Sequence, residues 1–94
     1  MTDALTIVHR PEIGRFETHV EGLQCEADYR LDGNIMRMTH TGVPHALEGR
    51  GIAAALVKAA LTWAREQGHQ VDPICSYVAV YLRRHPEWAD LRVD

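Results

Sequence analysis

The stretch that decides the fold is Glu48-Gly49-Arg50-Gly51-Ile52-Ala53-Ala54-Ala55-Leu56-Val57, which runs on through Lys58 and Trp63 to Gln67-Gly68. From Gly51 to Gln67 the polar Lys58, Thr62, Arg65 and Glu66 share one stripe. Ile52, Ala53, Leu56, Val57, Ala60, Trp63 and Ala64 fill the opposite side. That is the 3.6-residue period of an amphipathic helix, and Gly68 is its natural stop. Two glycines one residue apart open it. Glycine lets backbone N–H groups turn inward and lets a ligand come close. The first turn of a helix offers unpaired N–H donors at the positive end of its dipole. Together these make a site for phosphate or pyrophosphate; the alternative is a pair of simple turn glycines. The loop is not a dinucleotide fingerprint, because the third glycine is missing. It is not a Walker loop, because no Gly-Lys-Ser/Thr follows.

Upstream of this helix the period is two. Leu5 to His9 reads as a short first strand, and Pro11 to Gly14 as a turn. Arg15 to Val20 alternates, with Phe16, Thr18 and Val20 on one face. After Glu21-Gly22, Leu23 to Asp32 alternates through Cys25, Ala27, Tyr29 and Leu31. Asp32-Gly33-Asn34 is a hairpin signal, since Gly and Asn tolerate positive φ. The strand returns over Ile35 to Val43, with Met36, Met38 and His40 expected on one face, and Pro44 ends it. Downstream, Gln70 to Cys75 reads as a strand. Ser76 to His85 reads as a helix capped by Ser76, and Glu87 to Leu91 as one further turn beyond Pro86. The order is β-β-β-β-α-β-α. A meander feeding a β-α-β unit implies an α+β domain with a mixed central sheet, here a single domain over residues 1–94.

Composition narrows the function. Hydrophobic residues are 46% and charged residues 24% of 94, ordinary values for a globular protein. No apolar run approaches the length of a membrane helix, and the N-terminus lacks the basic start of a signal peptide. A cytoplasmic protein with no membrane partner is expected. The formal net charge of −3 argues against nucleic-acid binding. Cys25 and Cys75 stand outside any C-x-x-C, so a zinc or redox motif is not expected. His40, His45 and Cys75 fit no strong metal-ligand spacing, and no metal is expected.

The element order, together with Gly51 and Ala53, resembles the GNAT superfamily of N-acetyltransferases, whose hallmark is Gln/Arg-x-x-Gly-x-Gly/Ala at the start of the central helix. Glu48 departs from the first position of that hallmark. Val43-Pro44, Gly49-Arg50-Gly51-Ile52-Ala53, Pro73-Ile74-Cys75-Ser76-Tyr77-Val78 and Tyr81-Leu82-Arg83-Arg84-His85-Pro86-Glu87-Trp88 resemble its short, single-domain subfamily from about His40 to Leu91. The resemblance implies acetyl-CoA as cosubstrate, held between the fourth and fifth strands. Its thioester would lie beside Thr41, Gly42 and Val43, and its pyrophosphate would meet the N–H groups of Arg50, Gly51, Ile52, Ala53 and Ala54.

Transfer to an amine needs a neutral nucleophile, donors for the carbonyl oxygen and a proton for the departing thiolate. Ala79-Val80-Tyr81 reproduces a spacing seen in many GNAT enzymes, which makes Tyr81 the candidate proton donor; the alternative is a ring packed on the sheet. Cys75 is expected to line the site, either as an acetyl-accepting thiolate or as a small buried hydrophobe. His40 is the candidate base or water relay; the alternative is a structural strand histidine. Arg83 and Arg84 are candidates for the 3′-phosphate of CoA, or form a solvated helix face. Trp63 and Trp88 read as packing residues. Larger members of the superfamily wall their acceptor cleft with helices between the first two strands, whereas only Arg10 to Gly14 joins them here. The expected activity is therefore a minimal N-acetyltransferase acting on an undefined amine, small molecule or protein. The alternatives are a non-catalytic CoA or acyl-CoA binding module and a protein-interaction domain. The residues define neither acceptor nor oligomeric state.

Overall fold

A computed structural model describes residues 5–93. The strands are β1 (Val8–Arg10), β2 (Arg15–Val20), β3 (Leu23–Asp32), β4 (Ile35–Gly42) and β5 (Gln70–Pro73), and the helices are α1 (Ile52–Gln67) and α2 (Ser76–Arg84). Short 3-10 turns cover His45–Leu47 and Pro86–Leu91. One sheet holds the strands in the order β1-β2-β3-β4-β5. The first three pairings are antiparallel and β4–β5 is parallel. A parallel neighbour needs a crossover, and α1 supplies it. This is the expected α+β architecture.

Period two sorts the strand residues by face. Phe16, Cys25, Ala27, Tyr29, Met36, Met38 and Val71 are buried on one side. The apolar stripe of α1, with Ile52, Leu56, Val57, Ala60, Leu61 and Ala64 buried, packs against them. Trp63 fixes the orientation: its ring lies 5.6 Å from Tyr29 and 6.1 Å from Phe16. The buried face of α2, Val78, Tyr81 and Leu82, joins the same core beside α1. Trp88 is buried there too, under the Arg65 guanidinium at 4.6 Å. Both tryptophans thus pack as expected. The other sheet face carries Arg15, Glu17, Glu26, Asp28, Arg37, His40 and Asp72, and no described helix covers it.

Three local differences from the sequence expectation matter. The first strand begins at Val8, not Leu5. Leu5 and Ile7 still pack on the core, and the Thr6 carbonyl accepts a hydrogen bond from Thr18 Oγ1 at 2.8 Å. The second difference is in β4. Asp28 pairs with His40 but Tyr29 pairs with Met38, so Thr39 is an unpaired extra residue, a β-bulge. The bulge breaks the alternation. Met36 and Met38 stay in the core while His40 turns to the uncovered face and Thr41 turns toward the helices. The expectation that His40 shares a face with Met36 and Met38 is therefore corrected. Third, β5 stops at Pro73, and Cys75 rather than Ser76 occupies the N-cap of α2, with φ −66 and ψ 129.

Candidate functional site: a cleft where two strands part

β4 and β5 pair from Ile35–Gln70 to Met38–Pro73 and then separate. The last link is the Cys75 N–H donating to the Met38 carbonyl at 2.9 Å. Beyond it a cleft of about 440 Å³ opens. Thr41 and Val43 from the end of β4 form one wall, Leu47, Glu48 and Gly49 the rim, Gly51, Ile52, Ala53 and Ala54 the floor, and Tyr77 of α2 the far wall.

The floor is the start of α1. Gly51 is its N-cap, with φ 77 and ψ 14, a left-handed backbone that L side chains avoid. A Cβ there would meet nothing within 4 Å, so the glycine is required by conformation and leaves the approach to the helix open. No side chain caps the helix start. The intrahelical ladder begins with Ala55 N–H donating to the Gly51 carbonyl at 3.1 Å. The N–H groups of Ile52, Ala53 and Ala54 precede that bond and are the unpaired donors of the first turn. They belong to residues that line the cleft, at the positive end of the helix dipole.

The cleft brings together six of the residues expected to hold the cofactor: Thr41, Val43, Gly51, Ile52, Ala53 and Ala54. Three expected basic residues are elsewhere. Arg50 is turned away and donates to Glu21 Oε2 at 2.6 Å, beside an apolar depression formed by Leu5, Ile7 and Val20. Arg84 borders a smaller groove with Tyr81, His85 and Val80, which meets the main cleft at Ala54 and Tyr77. Arg83 is exposed on α2 and lines neither. No described Lys or Arg side chain lines the main cleft. Among the described residues the only charged lining group is Glu48, itself 3.4 Å from exposed His45.

Cys75 lies behind Thr41, with Sγ 3.7 Å from Thr41 Oγ1. Burial pushes its thiol up, but the amides of Val78, Tyr77 and Thr41 and the Thr41 hydroxyl together bring it below the ordinary thiol value. Thus an N-cap sulfur, short of a full capping hydrogen bond, feels the start of a helix. Cys25 is the opposite case: burial raises its thiol, and it is fully enclosed in the core. Tyr81 is buried, with its ring stacked on His85 at 4.0 Å. Burial first, and then Glu87, raise its phenol, which keeps the proton on at neutral pH. His40 stands outside the cleft, on the far side of β4.

Tyr77 is the lining residue that sequence reasoning missed. It precedes Tyr81 by four positions, so both share one face of α2, and that spacing was the available signal. Burial raises its phenol, opposed by Arg84.

A mixed sheet parted beside a helix start is the frame of this cleft, and comparison with known proteins gives its family. Residues 15–91 match the sequence profile of the family described as GCN5-related N-acetyl-transferase. The chain belongs to that family. It is similar to Protein NATD1 of Gallus gallus and of Mus musculus, each 40% identical over 52 residues, 55% of this chain and 47% of the relative. The match thus spans about half the length of those relatives. The structure superposes on the NMR solution structure of a GCN5-like protein from Staphylococcus aureus with a TM-score of 0.77 and 27% identity, covering 95% of this chain and 88% of that one.

Proposed function

We propose that the protein transfers the acetyl group of acetyl-CoA to an amine. The observation that carries this reading is the opening of β4 from β5 directly above the uncapped start of α1. The N–H groups of Ile52, Ala53 and Ala54 would bind the pyrophosphate, with Gly51 giving it access. Thr41 and Val43 would flank the pantetheine arm. The acetyl end would reach the level of Thr41, in front of Cys75. Tyr81, protonated and one groove away, suits delivery of a proton to the departing thiolate, and Tyr77 walls the path between them. The Cys75 thiol, lowered from its ordinary value by the hydrogen bonds around it, suits either electrostatic work beside the thioester or acetyl acceptance. A cytoplasmic setting keeps both thiols reduced.

A second reading, a CoA-binding module without turnover, is favoured by one observation. The cleft has a carboxylate, Glu48, at its rim, and Arg50 is paired with Glu21 instead of reaching a phosphate. Steady-state release of free CoA thiol separates the two. The transferase reading predicts release from acetyl-CoA that rises with added primary amine and saturates. Binding of acetyl-CoA with no amine-dependent release would leave the module reading standing.

A further inference from the structure

The uncovered face of the sheet holds a side-chain pair that the cleft does not account for. His40 Nε2 lies 3.1 Å from Glu26 Oε2. The contact passes over Gly42, the cross-strand partner of Glu26 and the last residue of β4. A Cβ at Gly42 would overlap the Glu26 carboxylate and come within 2.9 Å of His40 Nε2, so the pair exists only because residue 42 has no side chain. The bulge at Thr39 is the second requirement, since without it His40 would point into the core. The neighbours make Glu26 distinct. Glu17, beside it on β2, is held by Arg10 at 3.1 Å, and Asp28, opposite His40, by Arg15 at 2.7 Å. Glu26 has no guanidinium partner among the described residues; its other oxygen accepts from the Gln24 amide at 3.2 Å. Its side chain is 17% exposed whereas that of His40 is 55% exposed. A half-buried carboxylate thus holds one nitrogen of a histidine whose ring is largely open to solvent.

The placement relates this pair to the chemistry. Thr41 and Val43 line the cleft on the helix side. Between them Gly42 presents the opposite side, where Glu26 and His40 meet. An acyl group lodged where β4 leaves β5 is approached by its carrier from the helix side, and the sheet face beyond Gly42 is the free side.

We propose that Glu26 and His40 form the proton relay for a cationic acceptor, a primary ammonium that approaches over the uncovered sheet face. This rests on the acetyltransferase reading. A carboxylate only accepts, so His40 donates Nε2–H to Glu26 and exposes the Nδ1 lone pair. Nδ1 takes one proton from the ammonium, directly or through one water, and the resulting imidazolium is held by Glu26, which is the positioning residue. The neutral amine attacks the thioester carbon. The C–N bond forms, the C–S bond breaks, and the second amine proton leaves with the sulfur as CoA thiol. Nδ1 returns its proton to water. The net products are the amide, CoA thiol and one proton.

The test compares two probes, the first at pH 8.5 and the second at pH 7: a short peptide whose only amine is its terminal α-amine, with pKa about 7.7–8.0, and one whose only amine is a lysine, with pKa about 10.4. Wild type, Glu26→Gln, His40→Asn and Gly42→Ala are first titrated with acetyl-CoA and checked by thermal unfolding. With acetyl-CoA binding retained, we expect His40→Asn to lower kcat/KM for the lysine peptide about 100-fold at pH 7. Glu26→Gln and Gly42→Ala should lower it at least tenfold. All three should lower it far less for the α-amine peptide at pH 8.5, where that amine is already neutral. Equal losses on both probes, or no loss, overturn the relay. A wild type that binds acetyl-CoA and modifies neither probe overturns the transferase reading itself, and the relay with it. A wild type that fails to bind acetyl-CoA instead overturns the reading beneath it.

Discussion

Replacing Gly51 by alanine tests whether the start of α1 holds an anion, because a matched control exists at the other end of the same helix. Gly51 has φ 77 and ψ 14, and Gly68 has φ 75 and ψ 22. Neither has an atom within 4 Å of a built Cβ. An alanine held in the left-handed region costs about 1–2 kcal/mol, offset by about 0.4–1 kcal/mol of lost unfolded-state freedom. Both variants should therefore lose about 1 kcal/mol, roughly 4–8 °C in Tm for a domain of this size. They differ in what the methyl group does to a ligand. Gly51 lines the cleft, so its methyl group is added beside the ligand, whereas Gly68 lies at the far end of the helix. Loss of one charge-assisted hydrogen bond costs about 1.5–3 kcal/mol, at least tenfold in affinity. At a ligand concentration about 100-fold above Kd, acetyl-CoA stabilises wild type by about 2.7 kcal/mol, and tenfold weaker binding leaves about 1.4 kcal/mol. Differential scanning fluorimetry with and without acetyl-CoA should then show a full ligand shift for Gly68→Ala and about half of it, or less, for Gly51→Ala. A full shift in Gly51→Ala would refute the assignment of this loop.

Four further outcomes follow from the same geometry. Tyr81→Phe should slow transfer by tenfold or more while changing acetyl-CoA affinity little; unchanged turnover removes Tyr81 from the chemistry. Glu48→Gln should tighten acetyl-CoA binding by about 2–5-fold, the effect of removing one solvent-screened like charge, and calorimetry at low and high salt reads it. Iodoacetamide at pH 8 should label Cys75 and spare Cys25, with acetyl-CoA protecting Cys75; mass spectrometry of the labelled peptides decides it. His9 stacks on Phe16 at 4.0 Å, bonds Tyr29 Oη at 2.7 Å, and has its pKa lowered by burial against a smaller opposing pull from Glu12. A folded-state pKa below the unfolded 6.5 makes its contribution present above that pH and lost as pH falls, so Tm should drop between pH 7 and pH 5, and less so in His9→Gln.

Much of this was legible in the chain because periodicity is local. β2 and β3 end where alternation ends, at Val20 and Asp32, and α1 ends at Gly68 as the left-handed stop predicts. Gly51 opening a helix is likewise written in the sequence. The bulge at Thr39 is not, since nothing in Met38-Thr39-His40-Thr41 breaks the pattern; it is a property of the register between two strands. That single residue decides that Thr41 faces the cleft and His40 the open face. The Arg50–Glu21 pair and the pairing of Glu26 with His40 were hidden for the same reason, because each joins residues far apart in the chain. Cys75 moved from strand end to N-cap because Pro73 ends the ladder early and Ile74 N–H turns back to the Asp72 carbonyl at 3.0 Å. That shift of one residue puts the sulfur at the start of α2.

The most direct test is a calorimetric titration of the protein with acetyl-CoA and with CoA at neutral pH and moderate salt. A cleft with helix-start donors predicts binding of both at micromolar concentrations, with a stoichiometry of one ligand per chain. No heat at millimolar ligand would contradict the account at its centre, since the donors above Gly51 would then hold no pyrophosphate.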